Sequence, residues 1–260
     1  MKCKEIKADL DRRYPPALAE SYDNPGLLVG WEDAEIQKIY LTLDVTGDCL
    51  DRAIAWGADL IISHHPMIFS GQKQIASGNF VGEKVLKMAE HRIACIAIHT
   101  NFDVAKMADI NADLLHLTET SALEETGDRE GEILGIGKVG ILPKTMTLAE
   151  CAAYVRDCFG LPQVKAFGDA HKVLTRAAIC GGAGKSLLPG AIAKKADVYI
   201  TGDIDHHAGL DAVDQGLAII DAGHYGTEYF FMEQLKQDLE ELDAGLEIAC
   251  APMEIPFQYY

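Results

Sequence analysis

His64 and His65 stand side by side where the apolar run Leu60-Ile61-Ile62 ends, and Pro66 follows them. Another imidazole, His224, lies four residues before Glu228 and just past the apolar run Leu217 to Ile220. A third polar cluster, His99-Thr100-Asn101-Phe102-Asp103, follows Ala94 to Ile98. Imidazole nitrogens and carboxylate oxygens are the usual ligands of divalent metals, and the C-terminal ends of strands in an α/β sheet are where such centres are assembled. Neighbouring residues on an extended chain point to opposite sides, so His64 and His65 reach one cluster only if the backbone turns, as Pro66 favours. Each segment taken alone has a plainer reading: one histidine in the core and one outside, a helix cap ahead of Val104, a surface His-Glu helix pair. Together they offer enough ligands for two ions that share a carboxylate, with His99 or Asn101 placed to orient them. Ions about 3.5 to 4 Å apart activate water and polarise the bond under attack, which is hydrolytic chemistry.

The run Cys180-Gly181-Gly182-Ala183-Gly184-Lys185-Ser186 imitates a phosphate-binding loop but has Ile179 where that motif needs its first glycine. A tight turn from strand to helix is the expected structure there.

These groups need a scaffold, and the chain can build one. Its 260 residues are 48% hydrophobic and 24% charged, enough for one large domain or two small ones. Apolar, β-branched runs at 39–45, 60–62, 94–98, 139–142, 177–180, 198–201, 217–220 and 246–251 read as strands. Helix-period segments lie between them at 47–56, 81–91, 148–159, 186–195 and 229–242. Such alternation implies an α/β fold with largely parallel sheets. Ala58-Asp59-Leu60-Ile61-Ile62-Ser63 resembles Ala196-Asp197-Val198-Tyr199-Ile200-Thr201, and a second strand with a polar tip follows in each case. The expected architecture is therefore two similar halves from an internal duplication, residues 1–125 carrying His64, His65 and Asp103, and residues 126–260 carrying His224 and Glu228. The acidic stretch Glu119 to Glu132 reads as a solvated connector between them.

The formal charge of -17, from 23 basic and 40 acidic residues, argues against a nucleic-acid polymer as partner, whereas a metal would supply local positive charge for a small anionic substrate. Seven cysteines without a Cys-x-x-Cys pair, no apolar leader after Met1 and no run of transmembrane length point to a reduced, cytoplasmic protein with no membrane partner.

The segments Ser63-His64-His65-Pro66, His99 to Asp103 and Gly223-His224-Tyr225-Gly226-Thr227-Glu228, together with Asp23-Asn24-Pro25-Gly26-Leu27-Leu28-Val29-Gly30, resemble in order and spacing the NIF-three-like dinuclear-metal family. Its bacterial members carry the label GTP cyclohydrolase 1 type 2 or a homologue of it. The resemblance spans nearly the whole chain. It implies intertwined three-layer α/β/α halves with a shared cleft, and two divalent ions per chain held by His64, His65, Asp103, His224 and Glu228. It also implies a hexameric ring with its sites facing an internal cavity, and a short form lacking the domain that longer members insert. Around Thr201 to His207 the family shows one histidine, which aligns with His207, so that His206 is an addition. His99 and His207 become the candidates for proton transfer, and Asn101 and Asp203 those for substrate contact.

The function so implied is a metal-dependent hydrolase of a nucleotide or related heterocycle, GTP cyclohydrolase-like, with the ions zinc, iron, manganese or nickel. Two alternatives stand beside it. One is a phosphoesterase or amidohydrolase on the same centre, and for the phosphoesterase the absence of a basic run near the ligand motifs counts against it. The other is a metal-handling or interaction protein without turnover.

Overall fold

The computed structural model describes residues 1–129 and 131–258 of the chain. The chain folds into two compact α/β units, each with its own sheet, and passes between them more than once. Unit 1 comprises Met1–Phe102 and Tyr229–Glu254; unit 2 comprises Asp103–Glu228 and, of the described residues that follow, 255–258. The expected division near residue 125 falls inside a strand of unit 2.

Unit 1 contains helix α1 (Cys3–Arg13), strands β1 (Gly26–Val29) and β2 (Lys38–Thr42), α2 (Gly47–Trp56), β3 (Leu60–Ser63), α3 (Phe80–Glu90), β4 (Ala94–Ala97) and the short α4 (Thr100–Phe102). Unit 2 opens with a π-helical turn over Asp103–Met107 and continues as α5 (Ala108–Leu114), β5 (Thr118–Arg129), β6 (Glu132–Thr147), α6 (Leu148–Cys158), β7 (Lys165–Phe167) and β8 (Val173–Ala183). It goes on through α7 (Leu188–Ala193), β9 (Val198–Gly202), α8 (His206–Asp214), β10 (Ala218–Asp221) and α9 (His224–Glu228). The chain then re-enters unit 1 with α10 (Phe231–Leu242) and β11 (Glu247–Cys250).

The first sheet has the order β1-β4-β3-β2-β11, and β4, β3, β2 and β11 run parallel while β1 is antiparallel to β4. The second has the order β5-β6-β8-β9-β10-β7. Only β8, β9 and β10 are parallel there, so the expectation of largely parallel sheets holds for the first sheet and not for the second. The acidic stretch expected to be a connector is strand: β5 and the start of β6 form an antiparallel ribbon. As an outer strand β5 buries little beyond Ala122 and Leu123, so it carries charge in place of the apolar alternation that marks a buried strand. The edge strand β7 is likewise mostly exposed, and β1, at the edge of the first sheet, is the short half-buried run Gly26-Leu27-Leu28-Val29.

The duplication is visible in the hydrogen bonds. The Asp59 side chain accepts from the backbone of Gln37 and Lys38 at the start of β2, and Asp197 accepts in the same way from Thr175 and Arg176 on β8. Ala94 N–H donates to Asp59 O as Ala218 N–H does to Asp197 O, and Ile98 N–H donates to Ser63 O as Ala222 N–H does to Thr201 O. Each half thus pins two adjacent parallel strands in one register, Leu60 opposite Ala94 and Val198 opposite Ala218. A polar segment leaves the C-terminal end of every one of these strands.

Helix ends follow local chemistry. Thr46 accepts from Cys49 N–H at the start of α2, and Gly57 closes that helix in the left-handed conformation, which gives α2 the bounds its periodicity predicts. Among the described residues no helix is long and apolar enough to cross a membrane.

Candidate metal centre

In unit 1 the chain continues past β3 on the same ladder, with His64 N–H donating to Thr42 O and His65 N–H to Leu43 O. It then turns, and Ser63 Oγ donates to His65 O at 2.8 Å across that turn. The turn brings the two imidazoles to one side, their ring centroids 5.0 Å apart. His99, leaving β4, joins them: one ring nitrogen from each of His64, His65 and His99 lies within 4.8 Å of the others. Beneath them is an aromatic floor, with Phe231 4.9 Å from the His64 ring and from Phe102, and Tyr14 4.8 Å from Phe102.

Unit 2 holds the carboxylates. His224 Nε2 and Glu228 Oε2 are 3.2 Å apart on the single turn of α9, and an oxygen of Asp103 lies within 4.8 Å of one of Glu228. Glu228 is buried. The backbone opposite is the glycine run of β8. Gly182 sits at φ +64°, and a Cβ there would strike Glu228 Oε1 and lie 3.3 Å from His224 Nε2. Thr227 Oγ1 accepts from Gly182 N–H, fixing the approach. The segment that imitated a phosphate loop is therefore the end of a strand followed by a 3₁₀ turn at Gly184–Leu187, and its bare backbone gives the Glu228 carboxylate room.

One pattern runs through all four imidazoles. His64 Nδ1 meets Ile98 O at 2.9 Å, His65 Nδ1 meets Asp44 Oδ1 at 2.9 Å, His99 Nδ1 meets Asp23 Oδ1 at 2.8 Å, and His224 Nδ1 meets Asp203 Oδ2 at 2.7 Å. Carbonyls and ionised carboxylates only accept, so in neutral rings Nδ1 carries the proton and Nε2 is the basic nitrogen. Asp23 is itself held by Thr100, which donates from N–H at 3.0 Å and from Oγ1 at 2.5 Å. Burial pushes its carboxyl up, but the hydrogen bonds from His99 and Thr100 outweigh burial and hold it well below the ordinary carboxylate range.

Asn101 is buried with both ends of its amide engaged: Oδ1 accepts from His99 N–H and Nδ2 donates to Tyr14 O. Asp203, at φ +55°, spends its carboxylate on His224. His206 and His207 are exposed on the first turn of α8, rings 5.2 Å apart, and among the described residues neither joins a close His/carboxylate grouping. Sequence reading had no role for Asp44, none for Asp23 beyond its motif, and none for Gly182; each acts on a residue distant in the chain.

The family model for Duf34/NIF3 (NGG1p interacting factor 3) matches residues 1–256. The chain belongs to the Duf34/NIF3 family. Among its Duf34/NIF3 relatives, a "GTP cyclohydrolase 1 type 2 homolog" of Lactococcus lactis is 36% identical over 253 residues, covering 95% of both chains. A solved Staphylococcus aureus protein of this fold, hypothetical protein SA1388, has a TM-score of 0.89 at 30% identity, covering 100% of this chain and 99% of that one. A Bacillus cereus protein related to NIF3 superposes with a TM-score of 0.91 at 24% identity, over 100% and 99% of the two chains, and supports the fold alone. This Duf34/NIF3 chain therefore carries His and carboxylate groups that could hold a metal ion, on the fold that its family shares.

The donor set suits such an ion. Imidazole nitrogens with two carboxylates match zinc, iron, manganese or nickel, and neutral rings that present Nε2 are the form that ligates.

Proposed function

We propose that this Duf34/NIF3 protein is a dinuclear-metal-dependent hydrolase of a nucleotide or related heterocycle, of the kind its GTP cyclohydrolase 1 type 2 homologues are named for. His64, His65, Asp103, His224 and Glu228 would hold the ions. The observation that carries the reading is the common orientation of the imidazoles, each with Nδ1 committed to a protein acceptor and Nε2 presented. Chain connectivity supports it: Asp103 is the first residue of unit 2 and Glu228 the last before the chain returns to unit 1.

Bound divalent ions would supply Lewis acidity and activate water. The chain's own residues do the rest. Hydrolytic opening of a heterocycle takes a proton from the attacking water and places one on a ring nitrogen. His99, backed by Asp23, is built to carry that proton on Nε2. His207 is the second candidate for proton transfer, and Asn101 shapes the turn that carries His99. Asp203, whose Oδ2 faces His224 Nδ1, acts through His224 and stays the candidate for substrate contact. By the family resemblance the protein assembles as a hexameric ring.

The test is metal content per chain, native mass and GTP ring opening, measured on wild type and on Glu228→Ala purified without chelators. About two ions per chain, a native mass near six times 28.3 kDa, and loss of both metal and turnover in the variant are expected. Two ions without turnover of GTP would remove the cyclohydrolase assignment and leave a metal-handling role. No bound metal would remove the ligand assignment itself.

A further inference from the structure

Two large aromatic rings, Tyr22 and Phe69, stand exposed beside the imidazole cluster of unit 1. Tyr22 is 62% and Phe69 49% exposed. Their centroids are 6.3 Å apart with the planes tilted by 46°, and Phe69 stands edge-on to His99 at 6.5 Å.

Both rings sit on segments tied down next to His99. Tyr22 lies in the turn from Glu20 to Asp23, where Asp23 N–H donates to Glu20 O. That turn is fastened to Thr100 from both sides: Glu20 N–H donates to Thr100 Oγ1 at 2.9 Å, and Thr100 donates to the Asp23 carboxylate. The loop bearing Phe69 is fastened by the next residue, since Asn24 Nδ2 donates to Ile68 O at 2.6 Å. The pair Asp23-Asn24 therefore holds His99 with one side chain and the Phe69 loop with the other. The backbone that bears each ring is thus tied to the His99 segment by hydrogen bonds of its neighbours.

We infer that Tyr22 and Phe69 form a stacking subsite for a planar heteroaromatic ring, which they set against His99. Aromatic faces bind any flat π-system and do so without fixed charge, which suits a chain of net charge -17 that must retain an anionic nucleotide by its base. The inference rests on the hydrolase reading for the identity of the ligand, and it adds the part of the ligand that the chain grips outside the metal ligands.

The experiment measures Kd by calorimetry on metal-loaded full-length protein, with GTP, ATP, guanosine and inorganic tripolyphosphate as probes. Wild type is expected to bind GTP at least about tenfold more tightly than tripolyphosphate. Phe69→Ala and Tyr22→Ala should each weaken GTP about tenfold, in line with the loss of one stacking partner, and leave tripolyphosphate unchanged. Phe69→Trp should restore the preference. An unchanged ratio of GTP to tripolyphosphate affinity in both alanine variants overturns the subsite, as does the failure of wild type to bind GTP, ATP and guanosine alike. Metal content is measured on every sample, because ions retained with no preference for the base sink the subsite alone. A loss of ions in these two variants would instead show a structural role and also count against it.

Discussion

His64, His65, His99 and His224 each have one nitrogen whose state is set by a neighbour, and this bears directly on metal affinity. Asp203 Oδ2 lies 2.7 Å from His224 Nδ1, and Asp44 Oδ1 lies 2.9 Å from His65 Nδ1. An asparagine at either position offers an amide that can turn its NH₂ toward the ring, stabilising the tautomer with the proton on Nε2, which cannot ligate. Asp203→Asn and Asp44→Asn should each lower metal affinity by about 10- to 100-fold while leaving the fold unchanged. Competition with a metallochromic chelator measures the first quantity and circular dichroism the second; unaltered affinity in both would show that the carboxylates do not control the rings.

At the scale of elements, the imidazole cluster of unit 1 stands on a floor that α1 and α10 hold together. Tyr14, at the end of α1, donates its hydroxyl to Asp238 on α10, which also accepts from Arg13 at 3.1 Å and Gln234 at 3.0 Å. Tyr14 is buried; burial first, and then the Asp238 carboxylate, push its phenol well above the ordinary range, so it stays protonated and a donor at any physiological pH. Its ring packs on Phe102 and its carbonyl accepts from Asn101. Tyr14→Phe leaves the buried Asp238 one donor short and should cost about 1 to 3 kcal/mol, read from the midpoint of urea unfolding. A shift indistinguishable from zero would mean that Arg13 and Gln234 suffice. Legibility of the elements followed burial. β3, β4, β9 and β10, buried throughout, were readable as apolar runs, whereas the edge strands β5 and β7 lack such a run and β1, also at an edge, is only four half-buried residues.

At the scale of the whole chain, five of its seven thiols are buried, and burial discourages them from ionising. Cys95 and Cys151 are both pushed up to about 12, by burial above all. The thiolate is the reactive form, and at pH 8 it is about one part in ten thousand of a thiol with that pKa. Native protein treated with iodoacetamide at pH 8 should therefore be labelled at Cys158 and Cys250, which are only half-buried, before Cys95 or Cys151, as peptide mass mapping would show. Early labelling of Cys95 would mean that unit 1 opens readily. The same scale holds the interleaving of the two units: the chain leaves unit 1 after Phe102 and returns at Tyr229, so two proposed ligands, Asp103 and Glu228, sit at the crossings.

By itself the sequence determined which residues end buried strands in polar tips, and so named His64, His65, His99, Asp103, His224 and Glu228, because apolar runs and the break that ends them are local properties. The duplicated Ala-Asp segments were legible for the same reason. Only the tertiary structure decided which proton each imidazole keeps. Asp23 is 76 residues from His99, and Asp44 and Asp203 are each 21 from the ring they hold. A hydrogen bond needs its partners within a few tenths of an ångström, and no spacing in the sequence carries that information. Gly182 is the plainest case. In the sequence it belongs to a glycine run that imitates a phosphate loop, and its use, leaving room for the Glu228 carboxylate, exists only once β8 and α9 lie side by side.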